Sequence, residues 1–249
     1  MKKKIILLHG LRGDHHGLQE VAEMLEKKGF DVVNPDLPGY GTADSLTKKT
    51  LESYSEWIHK LVKNEKEKPF IVAHSMGSII ASHYLSNHVD ETQPKAVFIS
   101  PIFRSDFKQK SSNVRCALTN FGLHLLPPRP RLGLMRSKLA SFCISHYLTA
   151  DKKQSKKIDE MHYKYSGNVN SGNGLIEDIK ISMKEQTVPV KQMDILYIMG
   201  AKDRLTSADL AEERAKKNGA KIMKVENVGH LINYENPEAV VKAISDFLI

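Results

Sequence analysis

Ser75 lies at the centre of Ala73-His74-Ser75-Met76-Gly77, with the apolar run Phe70-Ile71-Val72-Ala73 leading into it and Ser78-Ile79-Ile80-Ala81 following. A serine at the apex of an abrupt strand-to-helix turn presents its hydroxyl clear of both elements, provided the residues two before and two after it are small. Ala73 and Gly77 meet that condition, although alanine stands where the G-x-S-x-G pattern has its first glycine. The chemistry this spacing predicts is nucleophilic attack on an acyl carbon. A serine that merely caps a helix is the plainer reading of so short a pattern. Pro69 ahead of the run, and Ile79, Ile80, His83, Tyr84 and Leu85 at helical spacing behind it, support strand, turn and helix independently.

A serine hydroxyl needs a general base, and neutral imidazole is the usual one. Of the 11 histidines, His59, His83 and His88 fall in amphipathic helical patterns. His124, His146 and His162 belong to a separate segment, and His9 reads as a structural residue of a turn. His230 differs: Ala220 to Val225 reads as a strand, Asn227-Val228-Gly229 as a loop and Pro237 to Leu248 as a final helix. It therefore stands beyond the carboxyl end of the last strand, where an open parallel sheet gathers its reactive groups. The carboxylate that must orient the imidazole is expected at Asp203, in the turn after the strand Asp194 to Met199. The plainer reading of Asp203 is a helix cap or a partner for Arg204. Asp194 is at the wrong end of its strand, and Asp209 and Glu212 fall inside the next helix.

Attack by serine puts negative charge on the carbonyl oxygen, and two backbone N–H groups aimed at that oxygen stabilise it, each worth about 3 to 4 kcal/mol. One is expected from Met76, the residue after the nucleophile, at the positive end of the following helix. The other is expected from Leu11, in the loop His9-Gly10-Leu11-Arg12-Gly13 that follows the strand Lys4 to Leu8.

These pieces resemble the α/β-hydrolase superfamily. The order Ser75, Asp203, His230 along the chain is that superfamily's order, the likeness extends over residues 4 to 102 and 190 to 249, and Asp36-Leu37-Pro38-Gly39-Tyr40-Gly41 looks like the loop after its second retained strand. The resemblance implies Ser75 as nucleophile, His230 as base, Asp203 as acid and Leu11 and Met76 as oxyanion donors, with an acyl-enzyme hydrolysed by water. Serine in the elbow argues against epoxide hydrolases and haloalkane dehalogenases, which carry aspartate there. The expected fold is α/β, a doubly wound, mostly parallel sheet of about six strands, because the chain begins almost at the His-Gly strand and the usual two strands before it are absent. The expected organisation is a core of residues 1–102 and 187–249 with a helical cap inserted over 103–186.

Within the insertion the alternation of strand and helix stops, and helical patterns are separated by Pro127 to Pro130 and by Ser166 to Gly174. Residues 103 to 185 hold 15 Lys plus Arg against 7 Asp plus Glu, whereas the remainder has 22 of each, so the whole net charge of +8 lies there. Two readings stay open: steering of an anionic substrate, or a solvated cap surface. Leu118, Phe121, Leu123, Leu125, Leu126, Leu132, Leu134, Met135, Leu139 and Phe142 either line an acyl pocket or pack the cap onto the core. Arg12, next to Leu11, is a candidate to grip a substrate carboxylate, against the alternative of a solvent-facing loop arginine.

The composition narrows the function classes. A chain of 249 residues accommodates one domain with an insertion. The start of the chain lacks the apolar core of a signal peptide and no run reaches the length of a membrane span, so a soluble, cytoplasmic protein is expected. Cys116 and Cys143 are too few for a disulfide framework. No metal motif or glycine-rich phosphate loop is present, His15-His16 being adjacent in a loop, so neither metal nor cofactor is expected. The basic charge comes without a nucleic-acid-binding module. The expected partner is a small-molecule acyl ester, and the expected activity is carboxylic-ester hydrolysis. Thioester hydrolysis, acyl transfer and carbon-carbon bond hydrolysis by the same triad are the alternatives, as is a binding protein with little turnover.

Overall fold

The apolar runs become strands because both of their faces find a core. In β1 (Lys4–Leu8) Ile6 and Leu8 enter one buried cluster and Ile5 and Leu7 the other. β3 (Phe70–His74) divides Ile71 and Ala73 from Phe70 and Val72, and β4 (Lys95–Ile99) divides Ala96 and Phe98 from Val97 and Ile99. Alternating side chains of a central parallel strand point into opposite layers, which is why these segments are apolar throughout. Each fully buried Val, Leu or Ile contributes roughly 1.5 to 3 kcal/mol relative to exposure.

The computed structural model describes residues 2–104, 126–151, 158–160, 164 and 172–249. With β2 (Asp31–Val33), β5 (Asp194–Gly200) and β6 (Lys221–Val225), the strands form a six-stranded sheet in the order β2-β1-β3-β4-β5-β6, parallel at every pairing. The order reverses at β1, because the chain runs from β1 to β2 on one side of it and then crosses to β3 on the other. Such a switch point opens a crevice at the carboxyl ends of β1 and β3, where His9-Gly10 and Ser75 emerge. Helix α1 (Gln19–Lys27) and the last helix, Pro237–Leu248, pack together on one face, and α2 (Leu51–Lys63) packs with α3 (Met76–Asn87) on the other. Local signals set the ends: Thr50 and Ser53 form a capping box at α2, and Asn236 caps the last helix with Pro237 at its first position.

Between β4 and β5 the described residues include α4 (Pro128–Met135), α5 (Lys138–Leu148) and α6 (Gly172–Lys184). Several expectations change here. Pro128 opens α4, where a missing N–H costs nothing because the first turn has no internal acceptor for it. Gly172 and Gly174, read as linker, lie inside α6. Leu132 packs against the core, and Leu134, Leu139 and Phe142 are exposed. Leu118, Phe121, Leu123 and Leu125, along with Cys116, His124 and His162, lie outside the described residues.

Two histidine placements also differ. α2 is amphipathic, with Tyr54, Ser55, Ile58 and Val62 buried, but α3 is buried from Met76 to Leu85 apart from His83, because it lies between the sheet and α2, and His88 caps its end. His15 and His16 belong to a 3-10 turn, His15–Leu18, capped by the Asp14 side chain. After β5 come α7 (Ala208–Asn218) and, beyond β6, α8 (Ile232–Glu235), with α9 being the Pro237–Leu248 helix.

Candidate active site

Ser75 stands between β3 and α3 with φ 52° and ψ −119°, a left-handed conformation that costs a side-chain-bearing residue about 1 to 3 kcal/mol. Its surroundings hold it there. The Ser75 N–H donates to the Ile99 carbonyl at 3.0 Å, and the Ser75 carbonyl accepts from the Ser78 N–H at 2.9 Å and the Ser78 hydroxyl at 2.6 Å. The small residues around the turn have specific reasons. A Cβ on Gly77 would meet the carbonyl oxygens of Leu8 and His9 at 2.6 Å, so only glycine lets α3 start this close to β1. A Cβ on Gly10 would meet the Ser75 Cβ at 3.0 Å, which places the loop after β1 directly over the serine.

The Ser75 hydroxyl donates to His230 Nε2 at 2.8 Å, and His230 Nδ1 donates to Asp203 Oδ2 at 2.8 Å. All three residues are buried. The second oxygen of Asp203 accepts the N–H groups of Leu205 at 2.7 Å and Thr206 at 3.1 Å. Asp203 thus meets its own turn with one oxygen and the imidazole with the other. Arg204 is directed instead to the carbonyls of His146 and Tyr147, at 3.4 Å each.

Residues that sequence reasoning passed over hold the His230 loop. The His230 carbonyl accepts from the Ser100 hydroxyl at 2.9 Å and from His74 Nε2 at 3.2 Å, and its N–H donates to the Leu148 carbonyl at 2.7 Å. Glu235 accepts from the Gly229 N–H at 2.7 Å and the Ala150 N–H at 2.8 Å, tying that loop to the end of α5. Ser100 follows β4 as Ser75 follows β3, and that position is the one signal by which the sequence could have pointed to it. Nothing in the sequence signals Glu235.

His9 is turned into a fixed neutral prop. Its Nε2 accepts the Leu37 N–H at 2.8 Å, its Nδ1 donates to the Gly10 carbonyl at 2.9 Å, and its ring meets Tyr40 edge-on at 5.4 Å. Burial lowers His9 to about 4; burial, and then the neighbouring His230, lower His74 to about 3. Both values lie below the ordinary 6.5 of the unfolded chain, so below pH 6.5 the unfolded state takes up protons that the folded state refuses. Stability from these residues is complete above pH 6.5 and is lost as the pH falls towards 4 for His9 and 3 for His74. Each is expected to contribute a slope of about 1.4 kcal/mol per pH unit in that window, read from urea unfolding at pH 7 and pH 5. A His9→Asn variant should lose the His9 share of that slope and keep the His74 share.

Met76 is the first residue of α3, whose first N–H groups have no acceptor within the helix. Leu11 lies in the turn closed by the Gly13 N–H on the Gly10 carbonyl at 3.1 Å. Arg12 is not solvent-facing: it is 4% exposed, has φ 60°, and burial lowers its guanidinium to about 10, still charged at neutral pH. Its backbone N–H is directed to the Tyr40 hydroxyl.

Tyr40 belongs to a second buried group that sequence reasoning missed. Asp178, in α6, accepts from the Lys49 ammonium at 2.5 Å and the Tyr40 hydroxyl at 2.7 Å on one oxygen, and from the Tyr54 hydroxyl at 2.8 Å on the other. The Lys49 Nζ also lies 4.6 Å from the centre of the Tyr40 ring. Burial raises the Asp178 carboxyl above its ordinary range against the opposing pull of Lys49 and both tyrosines. This group ties the inserted helix α6 to the loop after β2 and to α2, and through Tyr40 to the loop over Ser75.

Residues 5–243 match the model of the alpha/beta hydrolase family. The chain belongs to that family. As an alpha/beta hydrolase it resembles a thermostable monoacylglycerol lipase of Bacillus sp. strain H-257, at 26% identity over 34% of this chain and 36% of the lipase. It also resembles the phospholipase YtpA of Bacillus subtilis, at 25% identity over 50% of this chain and 49% of that protein. Against these two the matched segments span about a third and about half of the relatives' own lengths. The esterase EaEST of Exiguobacterium antarcticum superposes with a TM-score of 0.78 at 17% identity, over 99% of this chain and 91% of that one, a likeness of fold. Among the described residues, no helix is long and apolar enough to cross a membrane.

Proposed function

We propose that the protein cleaves a carboxylic ester through an acyl-enzyme, with Ser75 as nucleophile, His230 as general base and acid, Asp203 as the group that orients it, and the Leu11 and Met76 N–H groups as oxyanion donors. The observation that carries this reading is the continuous chain from the Ser75 hydroxyl through both ring nitrogens of His230 to Asp203, with 2.8 Å at each step. Ser75 Oγ attacks the acyl carbon as its proton passes to His230 Nε2, and the carbonyl electron pair moves onto an oxygen facing the two N–H groups. Collapse of this intermediate expels the alcohol, which takes the proton from Nε2. Water then attacks the acyl carbon with its proton going to Nε2, and that proton returns to Ser75 as the acid leaves.

Residues 103–186 act in this reading as a cap over the site. Lipase and phospholipase relatives make esters with an acyl chain the first substrates to try, and the buried charge of Arg12 adds esters that carry a carboxylate or phosphate. Thioesters, acyl acceptors other than water and carbon-carbon bonds remain alternatives for the same nucleophile. The experiment is a steady-state panel of neutral and anionic acyl esters and matched thioesters at low and high salt. Ester hydrolysis with the highest kcat/KM in the panel is the expected result. A preference for anionic esters that disappears in Arg12→Ala assigns Arg12 to the substrate, and a preference that disappears only with salt assigns the charge of the cap. Turnover confined to thioesters would overturn the ester reading.

A further inference from the structure

At the opposite end of α3 from Ser75, about 18 Å away along a 12-residue helix, three ligand-type side chains converge. His59 of α2 places Nδ1 2.7 Å from Glu91 Oε2, and His88, which caps α3, places Nδ1 3.1 Å from Glu91 Oε1. One ligand atom from each of the three lies within 4.8 Å of the others.

We infer that His59, His88 and Glu91 form a binding site for a divalent transition-metal ion of the zinc class. Two imidazole nitrogens and one carboxylate suit a borderline ion that takes nitrogen and oxygen ligands at about 2.0 to 2.2 Å, which sets tetrahedral ligand atoms about 3.3 Å apart. The His59–Glu91 and His88–Glu91 separations of 2.7 and 3.1 Å reach that spacing by opening about 0.6 and about 0.2 Å. The three side chains are about one-third exposed, which leaves a fourth position for water. The site is also built from behind. Tyr84, fully buried, donates its hydroxyl to Glu91 Oε2 at 2.6 Å, and its ring stacks on His88 at 4.9 Å and 16°. Outer partners of this kind orient ligating carboxylates and imidazoles. Asp14, His15 and His16 also lie together, but there His15 is engaged by Asp36 at 2.7 Å and His16 by Asp14 at 3.1 Å, so the imidazoles do not converge on one carboxylate.

An ion at this site would cross-link α2 to the end of α3. The test is isothermal titration of chelator-treated, tag-free full-length protein with Zn2+, repeated with Co2+ to read coordination from the visible spectrum, on wild type, His59→Gln, His88→Gln and His15→Gln/His16→Gln. The expected result is one ion per chain in wild type and in the His15/His16 variant, with affinity lower by at least tenfold in either of the other two. Saturating Zn2+ should raise the melting temperature of wild type by roughly 5 °C, and circular dichroism should show the variants folded. Equal affinity in wild type, His59→Gln and His88→Gln would overturn the inference, as would binding lost only in the His15/His16 variant or the absence of binding below millimolar Zn2+. Because the readouts are binding and melting, the result is independent of whether the chain hydrolyses esters.

Discussion

Replacing Asp203 by asparagine is expected to lower kcat by about four orders of magnitude while KM and the melting temperature stay near wild type. The reason lies in which oxygen does what. Oδ1 of Asp203 receives the Leu205 and Thr206 N–H groups, and Oδ2 receives His230 Nδ1. In the asparagine variant only the amide oxygen can accept the two backbone donors, so the amide NH2 must face Nδ1. His230 then carries its proton on Nε2 and donates towards Ser75 instead of accepting from it. The fold keeps its turn, and the reaction loses its base. Steady-state kinetics with any ester from the panel, together with a thermal melt, check both halves. A loss of less than tenfold would mean that something other than Asp203 sets the tautomer.

Asp178→Ala is expected to cost about 3 to 5 kcal/mol of stability, because it leaves the buried Lys49 ammonium without its carboxylate and two buried tyrosine hydroxyls without an acceptor. For a chain of this length that is a fall of roughly 10 °C in melting temperature. The paired change Lys49→Met with Asp178→Leu is expected to recover the ion-pair part of it, since exchanging a buried ion pair for apolar side chains of similar volume is often neutral, while the two tyrosine hydroxyls stay without their acceptor. Thermal melts of wild type, the single variant and the double variant read the difference. Tyr40 links this group to His9 and to the Arg12 backbone, so the single variant should also lose part of its ester turnover. A melting point within about 2 °C of wild type for Asp178→Ala would show the network to be dispensable.

The parts of this molecule that were legible in the sequence are those where local chemistry and topology coincide. Each strand buried on two faces leaves a continuous apolar run, and each run ends where a parallel sheet turns its chain outwards, so Ser75, Asp203 and His230 could be named from their place after a strand. Features that depend on distant pairing were not legible. Lys49 and Asp178 are 129 positions apart, and each alone reads as a solvated charge. Glu235 looks like an ordinary helix residue until Gly229 and Ala150 are brought against it. Pro128 opens a helix, and the sequence alone does not say whether a proline breaks a helix interior or opens a first turn. His59, His88 and Glu91 come from two helices and a turn whose meeting is fixed only when α2 packs on α3.

Intact-mass analysis of the native protein after brief exposure to a fluorophosphonate tests the role of Ser75 most directly. The account predicts one phosphonyl adduct per chain, located on the peptide that contains Ser75, and none on a folded Ser75→Ala variant whose ester turnover has fallen by several orders of magnitude. An adduct on another residue, or a folded wild-type protein that stays unlabelled and hydrolyses esters no faster than Ser75→Ala, would contradict it.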